Sequence, residues 1–171
     1  SLAPAAVEDS LCALRWVARN ASEYGFDTNR LVVTGNSAGG HLALTTGMIP
    51  AEAGLDRQCA GTETPPVAAI VNWYGITDVG DLLQGENQKG YAVRWLGSLP
   101  NMMEIAERVS PLQYVRPGLP PTITIHGDAD PTVPYNHGVQ LHRLLDQAEV
   151  SNELITVPGG GHGGFPSNEM L

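Results

Sequence analysis

A serine stands at the centre of the glycine-flanked segment Gly35–Gly39, "GNSAG", and its type and spacing suit nucleophilic chemistry. In a sharp turn from a strand into a helix, the apical residue is displayed above the sheet, and its neighbours two positions away must be small. Ser37 would then attack a carbonyl carbon, and the N–H of Ala38 would face the developing oxyanion. The alternative is a structural or phosphate-binding glycine-rich turn, although the segment lacks the lysine of a P-loop.

A serine hydroxyl attacks efficiently only when a base takes its proton, and the chain offers five histidines. His162 is favoured because flanking glycines in "GGGHGG" would let its imidazole reach over the strand ends. His41 belongs to the helix that opens at Ser37, and we interpret it as a packing or capping residue. The others lie at a strand end or on a helix predicted to pack outside the sheet: His126, His137 and His142.

An imidazole base needs a carboxylate to orient it, and the segment "HGDADPTVP" supplies two. Asp130 is favoured because it lies in the loop, three residues past Gly127, where a carboxylate can turn toward His162. Asp128 is more typical of a turn-capping residue. Asp78 follows another strand and could be an alternative acid, but a turn or helix-cap role is more ordinary. The chain order is then serine, aspartate, histidine, which is the order expected of an α/β hydrolase.

The elements that must position these residues follow from hydrophobic periodicity. Amphipathic or apolar patterns predict helices over 4–23, 38–47 and 133–148, and buried strands over 30–35, 67–75, 121–127 and 152–159. This alternation predicts an α/β fold, a mostly parallel sheet of about four strands with helices on both faces. Ligands bind at the carboxyl ends of such strands, which is where the three candidate residues lie.

The segment 78–113 interrupts this alternation with a polar excursion that contains helix-like pieces at 91–96 and 102–109. If it folds over the strand ends, Tyr91 and Trp95 would form part of a lid. Trp73 and Tyr74 end the second predicted strand, and their aromatic side chains are candidate substrate-binding residues. They could equally be strand residues in the core.

Composition narrows the function classes. The formal net charge is −9, and no basic stripe is present, which argues against nucleic acid and against an anionic membrane surface. No run of about 18 apolar residues predicts a membrane span, and no signal peptide is visible, so the compartment stays unassigned.

No Cys and His cluster predicts a metal site. Cys12 is interpreted as a buried thiol within a helix; its pairing with Cys59 is possible but follows from no spacing rule.

The segment "PAAVEDSLCALRWVARNASEYGFDTNRLVVTGNSAGGHLAL" resembles the nucleophile region of α/β hydrolase esterases close to the hormone-sensitive-lipase-like group. The segment "PPTITIHGDADPTVPYNHGVQLHRLLDQAEVSNELITVPGGGHGGF" is similar to the acid and histidine blocks of carbohydrate acetyl and feruloyl esterases and of prolyl-oligopeptidase-like relatives. The resemblance implies that Ser37 is the nucleophile, Asp130 the acid, His162 the base and Ala38 one oxyanion donor. It also implies a small-molecule ester substrate, with no metal or cofactor.

The resemblance departs from the family pattern before the first predicted helix. Family members carry a His-Gly-Gly type oxyanion loop and about four strands ahead of that helix, and a final helix after the histidine. Residues 1–171 are therefore expected to form a single incomplete α/β hydrolase domain that lacks the N-terminal strands, with impaired activity. The strand edge at Arg30–Thr34 is expected to pair with a second copy, giving a homo-oligomer. The alternatives are a prolyl-oligopeptidase-like peptidase or amidase and a non-catalytic assembly module.

Overall fold

The computed structural model describes residues 2–165, in which four strands alternate with helices. The strands are β1 (Val32–Asn36), β2 (Ala69–Trp73), β3 (Thr122–Gly127) and β4 (Asn152–Val157). The helices are α1 (Ala5–Arg19), α2 (Ala21–Tyr24), α3 (Ala38–Met48), α4 (Gly90–Leu96), α5 (Met102–Arg108) and α6 (Asn136–Gln147). Short 3-10 helices lie at Ala51–Ala53, Gly80–Leu83, Gly85–Asn87 and Pro111–Tyr114.

The four strands form one sheet in the order β1-β2-β3-β4, and every neighbouring pair is parallel. The sequence prediction of a parallel α/β sheet is confirmed. Because all strands run the same way, the loops that follow β1, β3 and β4 meet at one end of the sheet. This common end carries the three residues on which the predicted chemistry depends.

The helices α3 and α6 pack on the same face of the sheet. Leu44 of α3 and Leu141 of α6 share a buried cluster with Ile70 of β2. On the opposite face, Val71 and Ile123 are half-buried neighbours in register, and Val32 is 55% exposed. The four parallel strands are thus flanked by helices, of which α3 and α6 share one face.

The segment 78–113 packs against α1 to form a second core. Val7 of α1, Leu82 and Leu96 are completely buried in this cluster. The N–H of Ala3 donates to the carbonyl oxygen of Trp95 at 2.9 Å. The two helices predicted inside this segment form as α4 and α5, while a lid function for the segment stays a prediction.

A disulfide joins Cys12 of α1 to Cys59, with the two Cα atoms 4.9 Å apart. The interpretation of Cys12 as a buried free thiol is therefore wrong. The loop after α3 folds back across α1, where the Arg15 guanidinium donates to the carbonyl oxygens of Asp56 and Gly61. This return brings the two sulfurs together, and no local sequence pattern encodes it. Chain-entropy arguments assign a cross-link over 47 residues a stabilisation of about 4 kcal/mol.

Strand β1 is an edge strand of the sheet, and within the described residues it hydrogen-bonds only to β2. Its residues alternate between exposed and half-buried, and Val32 and Thr34 are exposed. The strand expected to present an open edge does so within the described part of the chain. Among residues 2–165, no helix has both the length and the apolar character needed to cross a bilayer.

Candidate active site

Ser37 occupies the turn between β1 and α3 with φ 53° and ψ −119°. A positive φ is unusual for a residue with a side chain and persists only where the surroundings enforce it. Here the N–H of Ser37 donates to the carbonyl oxygen of Trp73 at 2.8 Å. A Cβ at Gly35 would lie 2.3 Å from the carbonyl oxygen of Gly39, so a side chain at Gly35 is sterically excluded. The sequence therefore builds a sharp turn that projects the Ser37 hydroxyl above the sheet.

A continuous hydrogen-bond chain joins the three candidate residues. The Ser37 Oγ lies 2.7 Å from the His162 Nε2, and the His162 Nδ1 lies 2.7 Å from the Asp130 Oδ2. Since an ionised carboxylate only accepts, His162 carries its proton on Nδ1, and Nε2 accepts from the serine hydroxyl. This geometry is the one that a nucleophile, a general base and an orienting acid require.

The Asp130 carboxylate is fully buried, and both of its oxygens accept hydrogen bonds. Its Oδ1 accepts the backbone N–H groups of Thr132 at 2.7 Å and of Val133 at 3.0 Å. Burial by itself would raise the pKa of this carboxyl. The hydrogen bonds from His162 and from the two backbone amides outweigh burial, so the pKa of Asp130 lies below its ordinary value. Asp130 is therefore ionised at neutral pH.

The loop that carries His162 is fastened to the loop that carries Asp130. The N–H of Ala129 donates to the carbonyl oxygen of Gly160 at 3.0 Å. The Asp128 Oδ1 accepts the N–H of Gly159 at 2.6 Å, so Asp128 braces the histidine loop rather than facing the imidazole. Gly163, next to His162, has φ 83°, which a residue without a side chain adopts at little cost.

Three other histidines and Asp78 lie apart from this hydrogen-bond chain. The buried His41 donates from Nε2 to the carbonyl oxygen of Val109 at 2.7 Å, and burial lowers its pKa to about 4. His137 accepts the N–H of Thr77 at its Nδ1, and His142 contacts Asn152. The Asp78 Oδ1 caps the following turn by accepting an N–H at 3.2 Å.

Tyr74 packs against the imidazole of His162, with ring centroids 4.7 Å apart in an edge-to-face arrangement. Its φ of 40° turns the chain at the end of β2 and brings the ring over the strand ends. Trp73 and Tyr74 line a shallow groove together with Phe165. The structure thus places Tyr74 against His162 and Trp73 in the same groove as Tyr74, and their contact with substrate stays a prediction.

An apolar cavity of about 200 Å³ lies next to the nucleophile turn. Its wall includes Ala38, Leu82, Tyr91 and Trp95. Tyr91 and Trp95 were predicted to approach the site, whereas Leu82 was not, because its position depends on the path of the long segment before β3.

Two contacts hold the segment 78–113 against the acid loop, and sequence reasoning missed both. The Tyr91 hydroxyl donates to the carbonyl oxygen of Thr132 at 3.0 Å, and the Lys89 Nζ donates to that of Pro131 at 2.9 Å. Burial, aided by the charge of Asp130, raises the pKa of Tyr91 to about 12, so the phenol stays a donor.

Ala38 is the first residue of α3, and the first N–H groups of a helix have no partner within the helix. These groups carry the positive end of the helix dipole, and that of Ala38 directly follows Ser37 in the chain. This position suits the oxyanion of a tetrahedral intermediate. Among residues 2–165, no three His, Cys, Asp or Glu side chains converge in a way that could hold a metal ion.

Comparison with known proteins agrees with this geometry. Residues 1–145 match the family model described as BD-FAE. Esterase LipC of Mycobacterium tuberculosis is 28% identical over 170 residues, which cover 94% of this chain and 41% of LipC. The chain therefore spans less than half the length of that relative.

Two solved structures are similar over nearly the whole chain. The bifunctional GH43-CE protein of Bacteroides eggerthii has a TM-score of 0.84 at 28% identity, covering 99% of this chain and 24% of that one. A propionate-bound esterase of Thermogutta terrifontis has a TM-score of 0.73 at 29% identity. The match covers 96% of this chain and 58% of that one. The matched family model, the parallel sheet and the serine turn agree, and the chain belongs to the BD-FAE family of α/β hydrolase proteins.

Proposed function

We propose that this protein hydrolyses carboxyl esters through an acyl-serine intermediate. The observation that carries the proposal is the hydrogen-bond chain from Ser37 Oγ through His162 to Asp130, with both links at 2.7 Å. The relatives that are named esterases support the same reaction.

Each step of the reaction has a residue to perform it. His162 Nε2 takes the hydroxyl proton while Ser37 Oγ forms a bond to the carbonyl carbon, and the N–H of Ala38 stabilises the oxyanion. The imidazolium then gives its proton to the departing alcohol as the C–O bond breaks. Water, deprotonated by the same imidazole, then attacks the acyl carbon. The imidazolium returns the proton to Ser37 Oγ as the bond between this oxygen and the acyl carbon breaks, which releases the carboxylic acid. Asp130 stabilises the imidazolium in both halves of the reaction.

The apolar cavity beside Ala38 supports a short, uncharged substituent on the ester. An apolar cavity of about 150 Å³ accommodates a benzene molecule, and this one is about 200 Å³. A short acyl chain or an aryl ring has the matching size. We therefore propose short acyl or aryl esters as substrates, among them acetyl or feruloyl groups on carbohydrates.

Substituting Trp95→Ala should lengthen the preferred acyl chain, because removing the indole enlarges the cavity. We expect the ratio of kcat/KM for the octanoyl over the butyryl ester of p-nitrophenol to rise roughly tenfold. The control is Val93→Ala, on the exposed side of the same helix, which should leave the ratio unchanged. An unchanged ratio in Trp95→Ala would show that the acyl group binds elsewhere.

The test of the function itself compares a matched ester and amide, p-nitrophenyl butyrate and the corresponding p-nitroanilide. The proposal expects turnover of the ester well above that of the amide. Comparable rates would favour the peptidase or amidase alternative. Ester turnover equal to the buffer rate would favour the non-catalytic assembly module.

We also propose that the open edge of β1 pairs with a second copy of the chain. Support comes from the unpaired side of Val32–Asn36 within the described residues and from the exposure of Val32. Such an edge is a template for strand pairing, and a lysine on it opposes that pairing. Light scattering should therefore give a dimer mass that falls to the monomer in Val32→Lys. A monodisperse monomer before substitution would contradict the proposal.

A further inference from the structure

A second imidazole lies beside the carboxylate of Asp130, the acid of the Ser37–His162–Asp130 triad. His126 is the penultimate residue of β3, and its side chain is fully buried. Its Nε2 lies 3.1 Å from the carbonyl oxygen of Val133 and 3.3 Å from the Asp130 Oδ2. Both of these oxygens are acceptors, so Nε2 must carry the proton. The tautomer of His126 is therefore fixed by its surroundings.

The other ring nitrogen of His126 has no hydrogen-bond partner among the described residues. A Cβ placed on Gly138 of α6 would lie 3.3 Å from this Nδ1, which shows how closely the helix backbone approaches the ring. A buried nitrogen without a hydrogen-bond partner lowers the stability of the fold. We therefore expect the rest of the ring to make a contact that the protein needs. The contribution of His126 must therefore come from Nε2, which donates to the carbonyl oxygen of Val133 and lies 3.3 Å from Asp130 Oδ2.

The two imidazoles converge on the same carboxylate oxygen. Asp130 Oδ2 accepts from His162 Nδ1 at 2.7 Å and lies 3.3 Å from His126 Nε2, while Oδ1 is held by two backbone N–H groups. Rotation of the carboxylate about its Cβ–Cγ bond would break both sets of contacts. Fixing this rotation fixes the direction in which His162 is held.

We propose that His126 is a positioning residue: its Nε2–H, donated to the carbonyl oxygen of Val133, fixes the loop that carries Asp130 and keeps the adjoining Oδ2 in line with His162. The inference rests on the proposed ester hydrolysis, since it assigns a role within the same triad. His126 acts through Asp130 and does not touch the substrate.

A neutral donor suits this position better than a cation. Burial lowers the pKa of His126, so the ring stays uncharged at neutral pH despite the nearby Asp130 carboxylate. A protonated imidazole at this place would form a second ion pair with Asp130 and weaken the hold of the carboxylate on the imidazolium of His162. As a neutral ring, His126 fixes the geometry and leaves the negative charge directed at His162.

Two substitutions of similar size and polarity separate the two ring nitrogens. The amide nitrogen of glutamine reaches the position of Nε2, whereas that of asparagine lies near the position of Nδ1. We expect His126→Asn to lower kcat roughly 10- to 100-fold, the range typical of groups that orient a functional side chain, with KM little changed. His126→Gln should retain most of the activity.

The proton NMR signal of the His162 Nδ1–H gives a second readout that needs no turnover. Its strongly deshielded resonance should persist in His126→Gln and should shift upfield or broaden in His126→Asn. His142→Phe is the matched control, because His142 is also a buried histidine with an unpaired Nε2 but contacts Asn152. This control should lower the melting temperature without moving the resonance or kcat.

Equal losses in the two His126 variants, or an unaltered resonance in His126→Asn, would overturn the assignment. If the wild-type chain shows no ester turnover, the proposed function fails. The resonance of the His162–Asp130 hydrogen bond still decides the role of His126 in that case.

Discussion

Replacing Ser37 with alanine is expected to lower kcat for ester hydrolysis by about 10⁶-fold, by analogy with other serine hydrolases. The reason is chemical, since Ser37 Oγ is the atom that His162 Nε2 contacts and alanine offers no nucleophile. The measurement is kcat/KM on p-nitrophenyl butyrate. Ser22→Ala, an exposed serine on α2, is the control and should match the wild-type rate.

The fold should tolerate Ser37→Ala, because the backbone turn depends on the glycines around it and on the hydrogen bond from its N–H to Trp73. The melting temperature should therefore stay close to that of the wild type. Turnover in Ser37→Ala equal to that of the wild type would show that Ser37 is not the nucleophile.

Asp130→Asn should lower kcat by roughly 10⁴-fold, the loss typical when the acid of a serine triad becomes an amide. The asparagine side chain is nearly the same size, so binding of the ester should change little. What changes is the imidazole: without a carboxylate, His162 can hold its proton on Nε2, facing Ser37, and then accepts no proton from the serine. The measurement determines kcat and KM separately on p-nitrophenyl butyrate, and we expect the loss to fall on kcat.

Asp128→Asn is the matched control for this substitution, two residues earlier in the same loop. Its carbonyl oxygen can still accept the N–H of Gly159, so the loop should keep its shape and kcat should stay within a few-fold of the wild type. If Asp128→Asn were the more damaging of the two, the assignment of the acid would be wrong.

Much of the fold followed from the sequence because apolar runs and their spacing report directly on burial. The run "RLVVTG" predicted a strand that forms as Val32–Asn36, and the pattern after Val133 predicted the helix Asn136–Gln147. Residues 37, 130 and 162 could be placed together because parallel strands end at the same side of a sheet. The choice between Asp128 and Asp130 rested on loop position, and the structure brings Asp130 to His162.

The features that sequence reasoning missed depend on contacts between distant segments. The Cys12–Cys59 disulfide forms because a loop returns across α1, and no spacing rule describes that return. The hydrogen bond from the Tyr91 hydroxyl to the carbonyl oxygen of Thr132 joins residues 41 positions apart. The buried Asn72 also went unnoticed; its side chain donates to the Thr124 hydroxyl and accepts the N–H of Gly75. An amide in an apolar strand finds its partners only after the strands have paired.

The central claim is that Ser37 is a nucleophile activated by His162, and covalent labelling tests it without any choice of substrate. The 171-residue chain is treated with a fluorophosphonate, digested and mapped by mass spectrometry. The account predicts a single phosphonyl adduct on Ser37, slowed strongly in Asp130→Asn and absent in Ser37→Ala. An adduct on another residue, or equal labelling of the wild type and Ser37→Ala, would contradict it.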